Sequence, residues 1–396
     1  MPQNFIKRNV LFFFSFSPGC TIFACCPKEI KPQEFRVGLT PVAVRELVGR
    51  GHVVTIETNA GLGAGFVDSD YVKEGAAIVG TAKEVFDEAE MIVKVKEPQA
   101  VERQMLKSGQ LLFTYLHLAP DPEQTHDLID SGCTAIAYET VTDVNGGLPL
   151  LAPMSEVAGR LAPQMGAWTL QKANGGRGVL LGGVPGVAPA KVLVLGGGVV
   201  GTNAARVAAG MGADVTVLDK SLARLRYIDD VFGHLFKNGY ASQKATSELA
   251  SQADLIIGAV LVAGAEAPKL ISREQLSTLN SGAALVDVAI DQGGCFETSR
   301  ATTHADPIYE IDGIMHYCVA NMPGAVARTS TLALGNATLP FIMSLANKGW
   351  VKACSDDPHL FNGLNVHDGK LTYAAVGEAL GLETVKPDLK ALSVLH

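Results

Sequence analysis

Several features that would fix a class of protein at once are missing from this sequence of 396 residues. It has no long run of Lys or Arg, and its formal net charge is -8, so nucleic acid is not expected as a partner. It has no uncharged apolar stretch of about 20 residues, the length that a membrane span needs. Residues 328–348 come closest, but polar residues recur through them. Internal repeats and low-complexity segments are also missing.

Cysteine is scarce, and its spacing matches no metal site. The seven cysteines are Cys20, Cys25, Cys26, Cys133, Cys295, Cys318 and Cys354. An odd number without zinc-ligand spacing favours free, buried thiols in a reducing compartment over a disulfide framework. We therefore expect a cytoplasmic protein that binds no metal.

The N-terminus superficially resembles a signal peptide. Lys7 and Arg8 precede the apolar stretch Val10–Phe14, but that stretch is short and is followed by two serines and a proline. No Ala-x-Ala cleavage site comes after it. We favour an unrelated extension over an export signal, and we expect a first strand within Thr21–Cys26.

From about residue 34, strand-like and helix-like segments alternate, which is typical of an α/β protein with mainly parallel sheets. The predicted strands are Val53–Glu57, Met91–Val95, Leu111–Tyr115 and Thr134–Tyr138, then Val192–Leu195, Asp214–Leu218, Leu255–Val260 and Leu285–Ala289. Thr40 and Pro41 predict a helix that runs to about Gly51, with Thr as N-cap and Pro as its first residue. Ser272 and Gln275 suggest a capping box before the last strand.

The length predicts two domains. A glycine-rich joint at 175–186 separates the two runs of alternation, and a long mixed apolar helix follows Thr329 and ends near Gly349. We infer that the chain leaves the first domain, builds the second and returns to the first.

Residues 191–201 form a strand that runs into G-x-G-x-x-G and then a helix. Gly196 allows the tight turn, Gly198 lets the backbone approach a pyrophosphate, and Gly201 lets helix and strand pack closely. The phosphates then bind at the start of the helix, Val199 and Val200, where unpaired N–H groups and the helix dipole favour an anion.

An acidic residue at the end of the next strand completes the dinucleotide pattern. Asp219 comes 18 residues after Gly201, close to the ~20 of the fingerprint. An acid there accepts hydrogen bonds from the adenosine ribose and repels a 2′-phosphate, so NAD is favoured over NADP. Arg224 is close enough to be a cofactor-binding residue, and this leaves NADP open. The alternative is that Arg224 is a solvated charge on a helix.

Polar side chains follow four of the predicted strands. They are Lys96, His117, Glu139 and Asp291. Open α/β sheets bind ligands at the carboxyl ends of their strands, so their co-occurrence favours a polar site. Each residue alone is as well explained as a cap or a satisfied surface group.

Seven stretches of the chain occur in the same order in one known family. They are 27–41 (PKEIKPQEFRVGLTP), 95–98 (VKEP), 115–119 (YLHLA), 150–160 (LLAPMSEVAGR), the joint at 175–187, 286–294 (VDVAIDQGG) and 317–323 (YCVANMP). In them the chain resembles alanine dehydrogenase, of the alanine dehydrogenase and transhydrogenase nucleotide-binding subunit family, nearly without gaps from about residue 27. The resemblance implies two doubly wound domains. A Rossmann NAD-binding domain, 150–327, is inserted into a discontinuous substrate-binding domain, 1–149 with 328–396, that has a related sheet.

The resemblance implies an enzyme that interconverts L-alanine with pyruvate and ammonium by hydride transfer to NAD. Arg36 would grip the substrate carboxylate with its guanidinium fork, and Lys96 would bind the carboxylate or the keto oxygen. His117 would be the general acid and base, because histidine titrates near neutral pH. Asp291 would bind the amino group or position the hydrolytic water.

The remaining implied roles concern the cofactor and the assembly. Met154, Ser155, Asn321 and Met322 would line the nicotinamide, and Asp219 would bind the ribose. Glu139 is as well explained by a supporting or structural role as by catalysis. The family habit implies a homo-oligomer, most often a hexamer, with no membrane partner.

Two other functions remain open at this point. One is the nucleotide-binding part of a proton-translocating transhydrogenase, which binds NAD but oxidises no amino acid. The other is a catalytically silent NAD-binding sensor. The presence of Arg36, Lys96 and His117 together argues against both, whereas fold alone separates none of them.

Overall fold

The chain is described here by a computed structural model that covers residues 21–260 and 267–395. The signal-like stretch Val10–Phe14 therefore lies outside the described residues. The chain divides into two compact units, the first formed by residues up to 151 together with those from 331 onward, and the second by residues 152–330.

The strands, in chain order, are β1 (Phe23–Cys26), β2 (Val53–Glu57), β3 (Ala77–Val79), β4 (Met91–Val93), β5 (Leu111–Thr114), β6 (Thr134–Ala137), β7 (Lys191–Leu195), β8 (Asp214–Asp219), β9 (Lys237–Tyr240), β10 (Leu255–Gly258), β11 (Ala284–Asp287), β12 (Ile308–Ile311), β13 (Ile314–Tyr317), β14 (Leu364–His367) and β15 (Lys370–Leu371). The α-helices are α1 (Pro41–Gly49), α2 (Asp68–Lys73), α3 (Ala82–Glu88), α4 (Ala100–Arg103), α5 (Pro122–Ser131), α6 (Ala152–Thr169), α7 (Val199–Gly210), α8 (Leu222–Phe232), α9 (Gln243–Ala250), α10 (Ala327–Asp356), α11 (Pro358–Phe361), α12 (Ala374–Leu380) and α13 (Leu389–Leu395).

Both sheets follow one doubly wound plan. In the first unit the order is β15-β14-β6-β5-β4-β1-β2-β3, with β1 to β6 parallel and β14 antiparallel to β6. In the second unit the order is β12-β13-β11-β10-β7-β8-β9, with the edge strand β12 antiparallel to β13 and the other described strands parallel. Counted within each unit, the six parallel strands run 3-2-1-4-5-6, the Rossmann order. The predicted α/β class with two doubly wound sheets is confirmed.

The central strands are buried on both faces, as expected of parallel sheets covered by helices. Along β7, Val192 and Val194 belong to one apolar cluster with residues of α6 and α7. Leu193 and Leu195, which point to the opposite face, belong to a second cluster with Phe296. The alternation of β7 between two cores is the period-two pattern of a strand that is covered on both sides.

Local sequence signals set several boundaries. The Thr40 hydroxyl accepts the N–H of Ala43 at 3.2 Å, so the predicted cap is confirmed, although α1 ends at Gly49. Ser272 and Gln275 exchange the expected pair of bonds, 2.8 and 3.4 Å, but the element they start is a short 3-10 helix. Gly349 has a φ of 72° and interrupts α10 near the predicted end. Beyond this break the chain resumes helical geometry.

The described cysteines are buried free thiols, as predicted. They are Cys25, Cys26, Cys133, Cys295, Cys318 and Cys354, whereas Cys20 lies outside the described residues. Within residues 21–260 and 267–395, we find no helix that is both long and apolar enough to cross a bilayer.

A buried histidine on β13 makes the stability of the second unit depend on pH. The ring of His316 donates from Nδ1 to the carbonyl of Ile314 at 3.0 Å and accepts at Nε2 from the Thr298 hydroxyl at 2.7 Å. This pairing suits the neutral ring, and burial lowers the pKa of His316 to about 4. An unfolded histidine titrates near 6.5, so below that pH the unfolded chain takes up a proton that the folded chain excludes. Stability is lost as the pH falls from about 6.5 to about 4.

We expect this one group to remove about 2 kcal/mol of stability between pH 7 and pH 5. The substitution His316→Gln abolishes the titration, so the free energy of unfolding in denaturant should fall less between these pH values than in the unaltered chain. His126→Gln, at an exposed position on α5, is the matched control and should retain the full pH dependence. Equal pH dependence of the two variants would contradict the assignment.

Candidate functional site

The loop after β7 shows why glycine occupies two of its positions. Gly196 has a φ of 100°, and a Cβ on it would lie 2.8 Å from the carbonyl oxygen of Ala259. A Cβ on Gly201 would lie 1.7 Å from the carbonyl oxygen of Gly196. Strand and helix therefore approach as closely as the dinucleotide fingerprint requires, and a side chain at either position would force them apart.

Gly198 is different, because no atom of residues 21–260 or 267–395 lies within 4 Å of a Cβ built on it. It is the N-cap of the 12-residue helix α7, and as a glycine it has no side chain with which to cap the first N–H groups. The space in front of Gly198 adjoins the positive end of the helix dipole. A pyrophosphate group suits this position. The packing of the described residues does not require glycine here, so the absence of a side chain would matter only to a bound ligand.

Asp219 and Arg224 hold the loop from the side. The Asp219 carboxylate accepts the N–H of Gly197 at 2.7 Å and that of Ser221 at 2.7 Å. Arg224 donates from Nε to the carbonyl of Gly197 and from Nη2 to the hydroxyl of Thr202 at 2.7 Å. The interpretation of Arg224 as a solvated helix charge is therefore wrong, because its guanidinium is hydrogen-bonded to the glycine loop and to the helix that follows it.

The other predicted residues of the second unit lie mostly at the carboxyl edge of its sheet. Asp291 is exposed in a one-turn 3-10 helix after β11, and Asn321, with a φ of 59°, follows β13. Met322 is 3% exposed and packs in the core cluster of α6 and α7. Met154 and Ser155 are on the first turn of α6, which lies so close to α7 that a Cβ on Gly159 would be 2.3 Å from the Val200 carbonyl oxygen.

In the first unit, His117 follows β5 and Glu139 follows the adjacent β6. His117 has a φ of 50°, a conformation that is uncommon outside glycine. Its backbone N–H donates to Glu139 Oε1 at 2.6 Å, and the N–H of Leu116 donates to the same carboxylate at 3.2 Å. The half-exposed imidazole stacks on the buried ring of Tyr115, with centroids 5.8 Å apart. Glu139 thus fixes the turn that presents His117, and its Oε1 lies 3.9 Å from Nδ1 of the ring.

Arg36 is held as a pre-oriented cation. Its side chain is 2% exposed, and Nε and Nη2 donate to the two oxygens of Glu34 at 2.6 and 2.5 Å. Burial alone would lower the pKa of Arg36, but the Glu34 carboxylate raises it above its ordinary value, so the guanidinium stays charged. A Cβ on Gly38 would lie 2.6 Å from the carbonyl oxygen of Val93. The segment that carries Arg36 therefore lies against the end of β4, from which Lys96 follows.

Lys96 is presented by a turn that is tied to buried charges. Glu29, which follows β1, accepts the N–H of Val95 at 2.7 Å and that of Lys96 at 3.4 Å. Its second oxygen accepts from Lys94 Nζ at 3.1 Å, and Lys94 also donates to Glu102 at 2.7 Å. All three charged side chains of this network, Glu29, Lys94 and Glu102, are buried.

The ionisation of this network follows from its composition. Burial raises the pKa of Glu29, although the nearby ammonium of Lys94 opposes the rise. Burial on its own would lower the pKa of Lys94, but the two carboxylates outweigh it and raise that pKa. Lys94 therefore remains an ammonium between its two partners.

The structure thus gathers the predicted residues into one set in each unit. Arg36, Lys96, His117 and Glu139 lie at the carboxyl edge of β4, β5 and β6, and the glycine loop, Asp219, Asp291 and Asn321 lie at the carboxyl edge of the other sheet. Sequence reasoning missed Glu29, Glu34 and Lys94. One signal was available, since a lysine inside the apolar stretch Met91–Val95 is costly to bury unless carboxylates accompany it.

Family models match nearly the whole of the described chain. The model described as "Alanine dehydrogenase/PNT, N-terminal domain" matches residues 25–158, and the model described as "Alanine dehydrogenase/PNT, C-terminal domain" matches residues 162–374.

Individual relatives agree with the family models. The chain is 62% identical to an alanine dehydrogenase of Halomonas elongata over 91% of this chain and 97% of that protein. It is 53% identical to an alanine dehydrogenase of Bacillus subtilis over 92% and 96%. A solved L-alanine dehydrogenase is 52% identical, with a TM-score of 0.89 over 91% of this chain and 99% of that one. A transhydrogenase from Sinorhizobium meliloti, 24% identical with a TM-score of 0.77 over 88% and 100%, shares the fold.

The buried network predicts a large effect of one substitution on the stability of the first unit. Lys94→Met removes the ammonium and leaves two carboxylates buried without it, which should cost about 3–5 kcal/mol in the free energy of unfolding. The deficit should shrink as the pH is lowered, because a carboxyl group can then take up a proton. Denaturant unfolding at pH 8 and pH 5 measures both effects.

Lys83→Met is the matched control, since Lys83 is exposed on α3 and pairs with Asp87 at the surface. It should change the unfolding free energy little at either pH. A loss in Lys94→Met no greater than that of the control would refute the role of the buried ammonium.

Proposed function

This chain belongs to the alanine dehydrogenase/PNT family, and we propose that it catalyses the reversible, NAD-dependent oxidative deamination of L-alanine to pyruvate and ammonium. The observation that carries the proposal is the set at the carboxyl edge of the first sheet. There Arg36, which is buried and paired with Glu34, lies at the same edge as Lys96 and His117. Cations of this kind suit the carboxylate of a small amino acid, and a histidine suits proton transfer at its reacting nitrogen. The names of relatives that are 52–62% identical over nearly their whole length support it.

The second unit offers what a dinucleotide requires. Gly196, Gly198 and Gly201, with Val199 and Val200 at the start of α7, would hold the pyrophosphate. Asp219 would accept hydrogen bonds from the adenosine ribose, which favours NAD over NADP. The residues proposed to line the nicotinamide are Met154, Ser155, Asn321 and Met322. When bound, NAD would supply the acceptor for the hydride that leaves the substrate α-carbon.

Arg36 and Lys96 bind and orient the substrate in this proposal. Glu34 occupies the Nε–Nη2 edge of Arg36, so the substrate carboxylate would be bound from the other side of the guanidinium group. Because Glu34 fixes the orientation of the group beforehand, little side-chain freedom is lost on binding. Lys96 contacts the carboxylate or, in the reverse direction, the keto oxygen of pyruvate. Its position depends on the Glu29 bonds to the turn after β4.

His117 and Asp291 handle protons. Once the amino group of alanine has lost one proton to solvent, loss of hydride from the α-carbon leaves an iminium, to which water adds while His117 Nε2 or Nδ1 accepts one proton from that water. His117 then returns this proton to the nitrogen of the carbinolamine. The C–N bond breaks as the carbinolamine hydroxyl gives its proton to the departing nitrogen, which yields pyruvate and ammonium. Asp291 binds the amino group or orients the water. Glu139 supports His117 through the backbone rather than by reacting.

The proposal extends to a homo-oligomer, with a hexamer as the expected state, and to a cytoplasmic setting. Neither is needed for the chemistry above. Both follow from the family resemblance, and the buried free thiols favour a reducing compartment.

The reaction is tested by following NADH absorbance with purified protein, L-alanine and NAD at alkaline pH, and in reverse with pyruvate, ammonium and NADH. We expect alanine-dependent NADH formation that NADP does not replace. Absence of turnover in a folded protein that still binds NADH would overturn the proposal in favour of a transhydrogenase-like or sensor protein. Turnover with NADP equal to that with NAD would overturn the assignment of Asp219.

The matched variant His117→Asn should lose most turnover, yet bind NADH and unfold as the unaltered chain does.

A substitution at Gly198 distinguishes a role of this glycine in cofactor binding from a role in folding. Because no atom in the described part of the chain lies within 4 Å of a Cβ at this position, Gly198→Ala should fold and unfold normally. The same methyl group would occupy the place of a pyrophosphate oxygen, so NADH affinity measured by fluorescence titration should fall on the order of tenfold or more. Gly210→Ala, at the other end of α7 with equal space, is the control and should bind NADH normally. Unchanged NADH affinity in Gly198→Ala would show that the loop does not hold the phosphates.

A further inference from the structure

The loop that follows β11 carries Asp291 and begins and ends on one buried carboxylate. Asp287, the last residue of β11, is 0% exposed. Its Oδ1 accepts the N–H of Ala289 at 3.1 Å, near the start of the loop. Its Oδ2 accepts the N–H of Cys295 at 2.7 Å and the Ser299 hydroxyl at 2.5 Å, near the end. Asp291 lies between these two points of attachment.

Further bonds shape the loop between its anchors. The N–H groups of Gln292 and Gly294 both donate to the carbonyl of Ala289, at 2.9 and 3.1 Å. A Cβ on Gly294 would lie 2.6 Å from Asp287 Oδ2, and Gly294 has a φ of 80°. The loop can therefore close tightly over the carboxylate only because glycine stands at this position.

The neighbouring strand contributes to the same closure. A Cβ on Gly258 of β10 would lie 2.9 Å from the Cβ of Cys295 and 3.3 Å from Asp287 Oδ1. Outside the loop, Lys269 donates from Nζ to the carbonyls of Gly293 and, at 2.9 Å, Gly294. The backbone around Asp291 is thus fixed on both sides, while the Asp291 side chain itself is exposed.

The choice of a charged anchor requires explanation, because burial of a carboxylate is costly. Burial raises the pKa of Asp287, and the hydrogen bonds from Ser299, Cys295, Phe296 and Ala289 oppose that rise. An apolar side chain at this position would carry a smaller desolvation cost, but apolar packing is non-directional and does not fix the conformation of the loop backbone. Bonds from N–H groups to a carboxylate are short, strong and directional, so they select one loop conformation.

We propose that Asp287 is a positioning residue for Asp291, and that its carboxylate fixes the loop that presents Asp291 to the amino group or hydrolytic water. The inference rests on the proposed function, in which Asp291 has that role. Asp287 itself touches no substrate in this scheme and acts only through the loop.

A double-mutant cycle tests the proposal. Asp287→Asn keeps the size of the side chain but turns an NH2 group toward a donor that now has no acceptor. A shift of the loop by about 1 Å should lower kcat for alanine oxidation on the order of 10- to 100-fold. NADH affinity should stay within about twofold, since the glycine loop after β7 is untouched. Asp291→Asn should lower kcat by itself, and adding Asp287→Asn to it should cause no further loss, because residues that act as one unit are not additive.

Ser299→Ala provides a milder variant if Asp287→Asn does not fold. It removes one of the donors to the carboxylate and should lower kcat less, again with no effect in the Asp291→Asn background. Losses that multiply in either double variant would overturn the inference and leave Asp287 with a purely structural role. A lowered melting temperature with unchanged kcat would overturn it as well. If the unaltered chain forms no NADH from alanine, the proposed function fails first, so the two failures are distinguishable.

Discussion

In each unit, the first strand of the sheet pairs in parallel with the fourth, β1 with β4 and β7 with β10. The winding of the chain reverses at this pair, so the segments that follow the two strands diverge and leave a crevice at the carboxyl edge. Glu29 and the turn that carries Lys96 lie at this point in the first unit, and the Gly196 loop lies there in the second. Strand pairing therefore decides where chemistry can be placed before any functional side chain is chosen.

Where the strands end, ladder hydrogen bonding ends too, and carboxylates become the acceptors for loop N–H groups. Glu29 accepts from Val95, Glu139 from His117, Asp219 from Gly197 and Asp287 from Cys295. In the first three pairs, acceptor and donor lie at the carboxyl ends of strands that are neighbours in the sheet. The carboxylates thus continue the lateral pairing of the sheet into its loops, and the loops they hold carry the proposed substrate and cofactor residues.

Part of this arrangement is predictable from the sequence. Apolar periodicity locates the buried strands, although it extends Met91–Val95 and Leu285–Ala289 two residues too far. Thr40 with Pro41, and Gly349, give helix boundaries because caps and breaks act within a few residues. The glycine loop is predictable because its spacing reflects contacts inside one strand–turn–helix unit.

The polar edge strands are not predictable in the same way. Lys237–Tyr240 of β9 and the two residues of β15 bury too little apolar surface to show a period. The buried charges also escape prediction, since Glu29 meets Lys94 across 65 residues and no local pattern encodes such a pair. The solvated-charge interpretation of Arg224 is wrong for the same reason, as its partner Gly197 is 27 residues away.

Buried charges such as Glu29 and Lys94, which escape prediction, are groups for which folding accepts an energetic cost. A buried carboxylate or ammonium is worth several kcal/mol less than a well-packed apolar group unless every bond is satisfied. Apolar packing stabilises any loop that excludes water, whereas Glu29, Glu139 and Asp287 stabilise only the loop whose N–H groups point at them. These directional bonds therefore favour one loop conformation over many compact alternatives. The energetic cost of burying the charges falls at the strand ends, where the direction of a single side chain matters to the proposed reaction.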